Sequence, residues 1–122
     1  MQEVSTLVIQ AQSDLCEVRK MIHKIGFFIE KEKFCMDAGK PYLVMRAVRG
    51  EEKTPYEPAE YEYGRLLPEA SDAAYRSYLL DERDKKMKLQ ETLKMQKTSG
   101  AGARVEELTE EITGLNWILN KF

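Results

Sequence analysis

Apolar residues recur near the start of the chain at Val4, Val8, Ala11, Leu15, Val18, Ile22, Ile25 and Ile29, at intervals of four and three without a break. That spacing is the seam two helices share when they lie side by side, and it predicts a long first helix over about residues 3–37. At about 1.5 Å per residue the seam runs on the order of 40 Å. Each Val, Leu or Ile buried along it is worth about 1.5–3 kcal/mol relative to exposure. Leu7, Met21, Phe28 and Cys35 add a second row, and a face broader than a two-position seam suits a bundle of three or more helices. Gly39 and Pro41 end the helix, the first as a left-handed cap and the second because it cannot continue the ladder.

Residues 41–68 change character. Tyr-Leu-Val-Met-Arg-Ala-Val over 42–48 is short, apolar and β-prone, and Tyr61, Tyr63 and Arg65 alternate with Glu60, Glu62, Gly64 and Leu66. A hairpin across this insertion is the expectation, with a short helix after Pro41 and an irregular loop as its rival. A second helix follows over about 71–97, capped by Ser71. In it Asp81, Glu82 and Asp84 precede Lys85, Lys86 and Lys88 at four-residue spacing. Gly100 and Gly102 interrupt the pattern. A third helix over about 104–121 repeats the first seam at Val105, Leu108, Ile112, Leu115 and Leu119. The fold class expected is therefore mainly α: a three-helix, coiled-coil-like bundle in a single domain over 1–122, with a small β-prone insertion between its first and second helices.

Length and charge narrow the reading further. With 122 residues there is room for one core, and 19 Lys and Arg against 21 Asp and Glu leave no basic excess for nonspecific nucleic-acid binding. Cys16 and Cys35, 19 residues apart on the expected helix, would lie roughly 28 Å from each other and could not bridge. Free thiols point to a reducing, cytoplasmic setting. The first thirty residues hold neither an apolar signal core nor a membrane span.

Little in the residue types announces chemistry. Gly100 and Gly102 precede a helix, but without a preceding strand or a closing Lys and Ser or Thr they read as a linker rather than a phosphate loop. His23, the single histidine, has no Cys or carboxylate at metal-ligand spacing. No nucleophile, base and orienter assemble from these parts, so no enzyme activity, cofactor or metal is expected. The distinctive stretch is 51–72, where Glu51, Glu52, Glu57, Glu60, Glu62, Glu69 and Asp72 outnumber Lys53 and Arg65, with tyrosines interleaved. Tyrosine gives large contact area with few rotors, and clustered carboxylates steer a basic partner.

The order long helix, β-prone segment, long helix resembles, as an architecture, the subunit plan of the prefoldin chaperones. The reading is a noncatalytic protein-interaction module, an adaptor that self-associates, as a homodimer for example, or docks on a protein partner. Its interface would be Val4, Val8, Leu15, Val18, Ile22, Ile25, Ile29, Val105, Leu108, Ile112, Leu115 and Leu119. The alternative is a small acidic inhibitor that occludes a basic nucleic-acid-binding groove, of a nuclease for instance, through Tyr56, Glu57, Glu60, Tyr61, Glu62 and Tyr63. A helical nucleic-acid binder using the basic face of residues 83–97 ranks third. Neither a membrane nor direct contact with nucleic acid is expected.

Overall fold

The computed structural model describes residues 4–96 and 100–122. The expected start of the first helix at residue 3, the end of the second at 97 and the Thr98-Ser99 part of the linker lie outside them.

The first helix is replaced by three elements: β1 (Thr6–Ala11), α1 (Leu15–Lys24) and β2 (Phe27–Asp37). The seam of fours and threes counted one residue from each turn and passed over the rest. Between its members, Leu7, Ile9 and Ala11 alternate inward while Val8 is 71% exposed, which is a strand's period. Phe27 and Ile29 are likewise buried with Phe28 turned to the other face. Two positions break the helical path. Asp14 sits at φ 55 before α1, and Gly26 at φ 85 after it, both in the left-handed region that a continuing helix cannot use.

β3 (Lys40–Arg49) is the central strand of a three-stranded sheet ordered β1-β3-β2. It pairs antiparallel with both neighbours, Leu7 opposite Ala47 and Ile9 opposite Met45 on one side, Ile29 opposite Ala47 and Phe34 opposite Leu43 on the other. β1 and β2 therefore run parallel, joined across β3 by α1. Ala38 and Gly39, at φ 50 and 77, make the two-residue turn of the β2–β3 hairpin. Gly39, expected as a helix cap, is a hairpin residue instead. The strand expected at 42–48 exists within β3, but its partners are β1 and β2. Residues expected as the second strand of a 42–67 hairpin form α2 (Pro58–Tyr63) and α3 (Leu66–Glu69). Pro58 opens α2 without losing a needed donor, and Glu57 and Glu60 close a reciprocal capping box.

α4 (Ala73–Met95) and α5 (Ala101–Leu119) form an antiparallel hairpin. The Asp72 carboxylate, rather than Ser71, caps α4 by accepting from the Tyr75 N–H at 2.8 Å. Arg83 to Asn116 at 3.0 Å, Lys86 to Glu111 at 3.4 Å and Gln90 to Thr109 at 2.6 Å set the hairpin's register. The core joins the sheet's inner face (Ile29, Leu43, Met45, Ala47) to Ile22 of α1, Tyr75 and Leu79 of α4, and Leu115 and Ile118 of α5. The mainly helical bundle is thus corrected to a sheet-centred α/β arrangement with a helical hairpin packed on it, and the likeness to a prefoldin subunit goes with the long first helix. Among the described residues, no helix is long and apolar enough to cross a membrane.

Candidate functional site

At the carboxyl ends of β1 and β2, beneath the α4–α5 hairpin, lies a cleft of about 1050 Å³. Open α/β sheets bind their ligands outside the carboxyl ends of their strands. Phe34, Tyr42 and Leu43 line it from the sheet, Ala59 and Tyr63 from α2, Tyr75, Tyr78 and Leu79 from α4, and Gly114 and Trp117 from α5. The Phe34 ring lies 5.2 Å from both the Tyr75 and the Tyr78 rings, so part of the wall is an aromatic cluster. The turn that leads into the cleft, Gln12-Ser13-Asp14, ends on the left-handed Asp14. Backbone held in that region is a feature of sites that position a ligand.

The charge around this slot is one-sided. Asp14, Glu17, Glu57, Glu62, Glu82, Glu110 and Glu111 line it against a single basic residue, Lys86, which bridges Glu111 at 3.4 Å. The tyrosines register the field. Burial pushes the Tyr63 phenol well above its ordinary value, and Glu62, Glu111 and Glu82 push it further. Burial and Glu82 raise Tyr78 in the same way, and burial and Glu62 raise the Cys16 thiol. A cleft of this kind admits a flat neutral or cationic ring and opposes a phosphate.

Arg19 holds the cleft wall in place. Its guanidinium, fully buried, donates to Glu32 Oε1 at 3.1 and 2.7 Å and to the carbonyls of Tyr61 and Glu62 at 2.7 and 3.0 Å. One side chain thereby ties α1 to β2 and caps the last turn of α2, the turn that carries Glu62 and Tyr63 into the cleft. Gly64 makes room for it: a Cβ there would stand 2.8 Å from Glu32 Oε2 and 3.0 Å from Arg19 Nη2, at φ 91. Tyr75 adds a second tie by donating its hydroxyl to the Tyr63 carbonyl at 2.6 Å.

Two further clusters fasten the connection between β3 and α2. His23 Nε2 lies 3.1 Å from Glu52 Oε1, and its Nδ1 lies 2.8 Å from the Tyr61 hydroxyl. The network assigns the Nε2 proton, so that the ring donates to Glu52 and accepts from Tyr61. Arg65 donates to Glu60 at 2.7 Å and to the carbonyls of Thr54 and Pro55, and it lies 4.2 Å above the Tyr56 ring. Burial, the largest single influence, would raise the Glu60 carboxyl, but the Arg65 hydrogen bonds, the Glu57 N–H and the charges of Arg65 and Lys121 together outweigh it and hold Glu60 below the usual carboxylate range.

The residues expected at a helix interface are distributed over four elements. Val4 and Val8 are 54% and 71% exposed at β1, Leu15, Val18 and Ile22 lie on α1, Ile25 caps it at 48% exposure, and Ile29 is buried in β2. Val105, Leu108, Ile112, Leu115 and Leu119 share α5, where Leu108 and Leu115 are wholly buried. Of the acidic tyrosine stretch, Glu57, Glu62 and Tyr63 reach the cleft. Tyr56 is buried, Glu60 is paired to Arg65, and Tyr61 faces His23. Sequence reasoning missed Arg19, Glu32, Phe34's aromatic role, Tyr75, Tyr78 and Trp117. Only Asp14 left a signal, since Ser13-Asp14 before Leu15 is a helix start by the capping rule.

A family model described as "TrmK: tRNA (adenine(22)-N(1))-methyltransferase" matches residues 1–116. No curated protein sequence matches the chain. Among solved structures, the Bacillus subtilis m1A22 tRNA methyltransferase TrmK is 18% identical with a TM-score of 0.79, over 93% of this chain and 51% of that one. M. capricolum TrmK bound to S-adenosyl-homocysteine is 16% identical at 0.80, over 99% and 51%. A Streptococcus agalactiae protein of the NADB-Rossmann superfamily is 18% identical at 0.79, over 97% and 49%. These likenesses are of fold, which is Rossmann-like α/β and not a helical bundle, and the chain spans about half the length of each protein. The family is one of enzymes acting on a nucleic acid. That overturns the reading of a noncatalytic adaptor or acidic inhibitor with a protein partner and no direct nucleic-acid contact. Periodicity had hidden the sheet on which such a site is built. A family match that runs over all but the last residues of the sequence makes this chain a member of the TrmK, tRNA (adenine(22)-N(1))-methyltransferase, family.

Proposed function

We propose that the chain works in methylation of N1 of adenine 22 in tRNA, as the part of the enzyme that receives the target base. The observation that carries this reading is the family match over residues 1–116. The cleft supports it on chemical grounds. An adenine is flat, aromatic and neutral, and it becomes cationic when methylated at N1. A slot walled by Phe34, Tyr75, Tyr78 and Trp117 and rimmed by carboxylates suits both forms, while turning the phosphate backbone away from its interior.

The methyl donor implied by the M. capricolum complex is S-adenosylmethionine, and the described residues do not supply a complete place for it. Rossmann-like folds cradle such a cofactor on a glycine-rich turn between a strand and a helix. The strand-to-helix turn described here, from β1 to α1, is Gln12-Ser13-Asp14 and carries no glycine. The role proposed for the described residues is therefore to hold and orient the base.

The test reads tRNA from cells with and without this protein. N1-methyladenine blocks the pairing edge, so reverse transcription stops there. A stop at position 22 that vanishes when the gene is deleted, and returns on complementation, is the expected result. A stop that persists without the protein would overturn the reading.

A further inference from the structure

The acids that line the cleft are not equivalent. Glu111 is bridged by Lys86 at 3.4 Å and by Arg104 at 3.6 Å, and the Glu57 carboxylate accepts from the backbone at the start of α2. Glu82 of α4 has Lys85 at 3.5 Å, but that lysine is 74% exposed, so water screens most of its charge. Glu62 of α2 is hydrogen-bonded by the Cys16 thiol, a neutral group. Glu62 and Glu82 therefore keep most of their field for the cleft. It meets at Tyr63, whose phenol is held protonated by burial first and then by Glu62, Glu111 and Glu82.

The rings beside these two acids hold no cation of the chain's own. Its cation-to-ring contacts fall on Tyr61, Phe27, Tyr56 and Trp117. Among the described residues none falls on Phe34, Tyr63 or Tyr78, which stand half-buried at the cleft wall. Gly114 keeps the space against Tyr63 open, since a Cβ there would lie 3.8 Å from Tyr63 Cε2 and 3.9 Å from the Ala59 Cβ. The face of an aromatic ring attracts a cation, and more strongly where water is excluded. A neutral ring of the same shape gains only the stacking. Charge on the ligand is therefore what this combination of rings and carboxylates rewards.

We propose that the cleft selects by charge, holding N1-methyladenine, a cation, more tightly than adenine through the faces of Phe34, Tyr63 and Tyr78 and the carboxylates of Glu62 and Glu82. The inference rests on the proposed function for the identity of the base. Methylation supplies the charge: N1 gives its lone pair to the new N–C bond and has no proton to lose, while the pair of the broken S–C bond stays on the sulfur of the donor. The positive charge thus passes from sulfonium to ring. Contacts that favour the charged ring also favour the transition state in which the charge is arriving. They leave the modified base as a competitor for the site.

The test is equilibrium dialysis of the 122-residue chain against three nucleosides at low ionic strength. N1-methyladenosine is a cation at neutral pH, adenosine carries the neutral base, and 1-methylinosine has the same N1 methyl without the charge. N1-methyladenosine should bind at least about tenfold more tightly than either, with an advantage that shrinks as salt is added. Replacing Glu62→Gln and Glu82→Gln together should cut the advantage below about threefold and leave adenosine within about twofold of its native constant. Gly114→Met, placed at a helical position with room for its Cβ, fills the space against Tyr63 and should weaken all three nucleosides. Equal affinities, an advantage that survives the two Gln substitutions, binding untouched by Gly114→Met, or no nucleoside binding would each overturn the proposal. The stop at position 22 is read separately. A gene-dependent stop with equal affinities removes this inference alone, whereas preference for the cation with a stop that persists without the protein removes the functional reading and leaves charge selection standing.

Discussion

Replacing Arg19 by Met should unfold this protein more readily than any surface change, and the size of the loss follows from what the guanidinium touches. It is wholly buried and makes four hydrogen bonds, two to Glu32 and two to the carbonyls that end α2. Removing one partner of a buried ion pair leaves the other charge stranded and costs about 3–5 kcal/mol. The two carbonyls are part-buried and add about 1 kcal/mol between them. Against a total stability of roughly 6–18 kcal/mol for a chain of this length, a loss of about 4–6 kcal/mol is a large share. Urea denaturation followed by far-ultraviolet circular dichroism should place the midpoint at least about 1.3 M lower, given slopes of about 1–3 kcal/mol per molar. The double variant Arg19→Met, Glu32→Met should recover much of it, because both charges leave together and Glu32 Oε2, which has no hydrogen-bond partner among the described residues, goes with them. A single variant that loses under about 1 kcal/mol, or a double variant less stable than the single, would refute this account of the clamp.

The neighbouring glycine gives an independent gauge: Gly64→Ala should cost about 2–4 kcal/mol in the same titration, from left-handed backbone and a Cβ 2.8 Å from Glu32 Oε2. Because Glu60 is held below the usual carboxylate range, its pairing stabilises the fold above the ordinary carboxylate value and is lost as pH falls through the depressed one. Thermal melts from neutral to acid pH should therefore fall less steeply for Arg65→Met than for the native chain, and equal slopes would remove the pair from the account. Trp117, the chain's single tryptophan, lines the cleft and can report on it. Its emission should be quenched saturably by a tRNA transcript carrying adenine 22 and by less than half as much when that base is removed, and equal quenching would show that the base does not enter.

What the sequence made legible was local. Val105 to Leu119 keeping one face is a statement about neighbours within a turn or two, whereas Ser71 was read as the cap that Asp72 supplies and the residues around Pro58 as loop and strand where the Glu57–Glu60 capping box opens α2. The first 37 residues misled because two periods coincide there. Positions 4, 8, 11 and 15 satisfy a helix, while 7, 9 and 11 satisfy a strand, and a seam counted by its members takes no account of the apolar residues between them. Gly26 and the Ser13-Asp14 pair were the punctuation that separated the two, and both stood in the open sequence.

The cleft was illegible for a different reason. Its walls come from the end of β1, the start of β3, α2, and facing turns of α4 and α5, so no window of sequence contains it. Arg19 and Glu32 are 13 residues apart, and Arg19 reaches α2 carbonyls more than 40 residues away. Each of these residues has an ordinary reading on its own, a basic helix residue, an acid among lysines, tyrosines on an amphipathic helix. Only the crossover from β1 to β2 brings them to the strand ends. Glu57, Glu62 and Tyr63 of the acidic tyrosine stretch line the cleft, where the excess of carboxylates was read as a surface for a basic protein. Those carboxylates rim an aromatic slot rather than an open face, so on the proposed function the same charge favours a base over its phosphate, and the negative field is a property of the cleft instead of a partner's docking site.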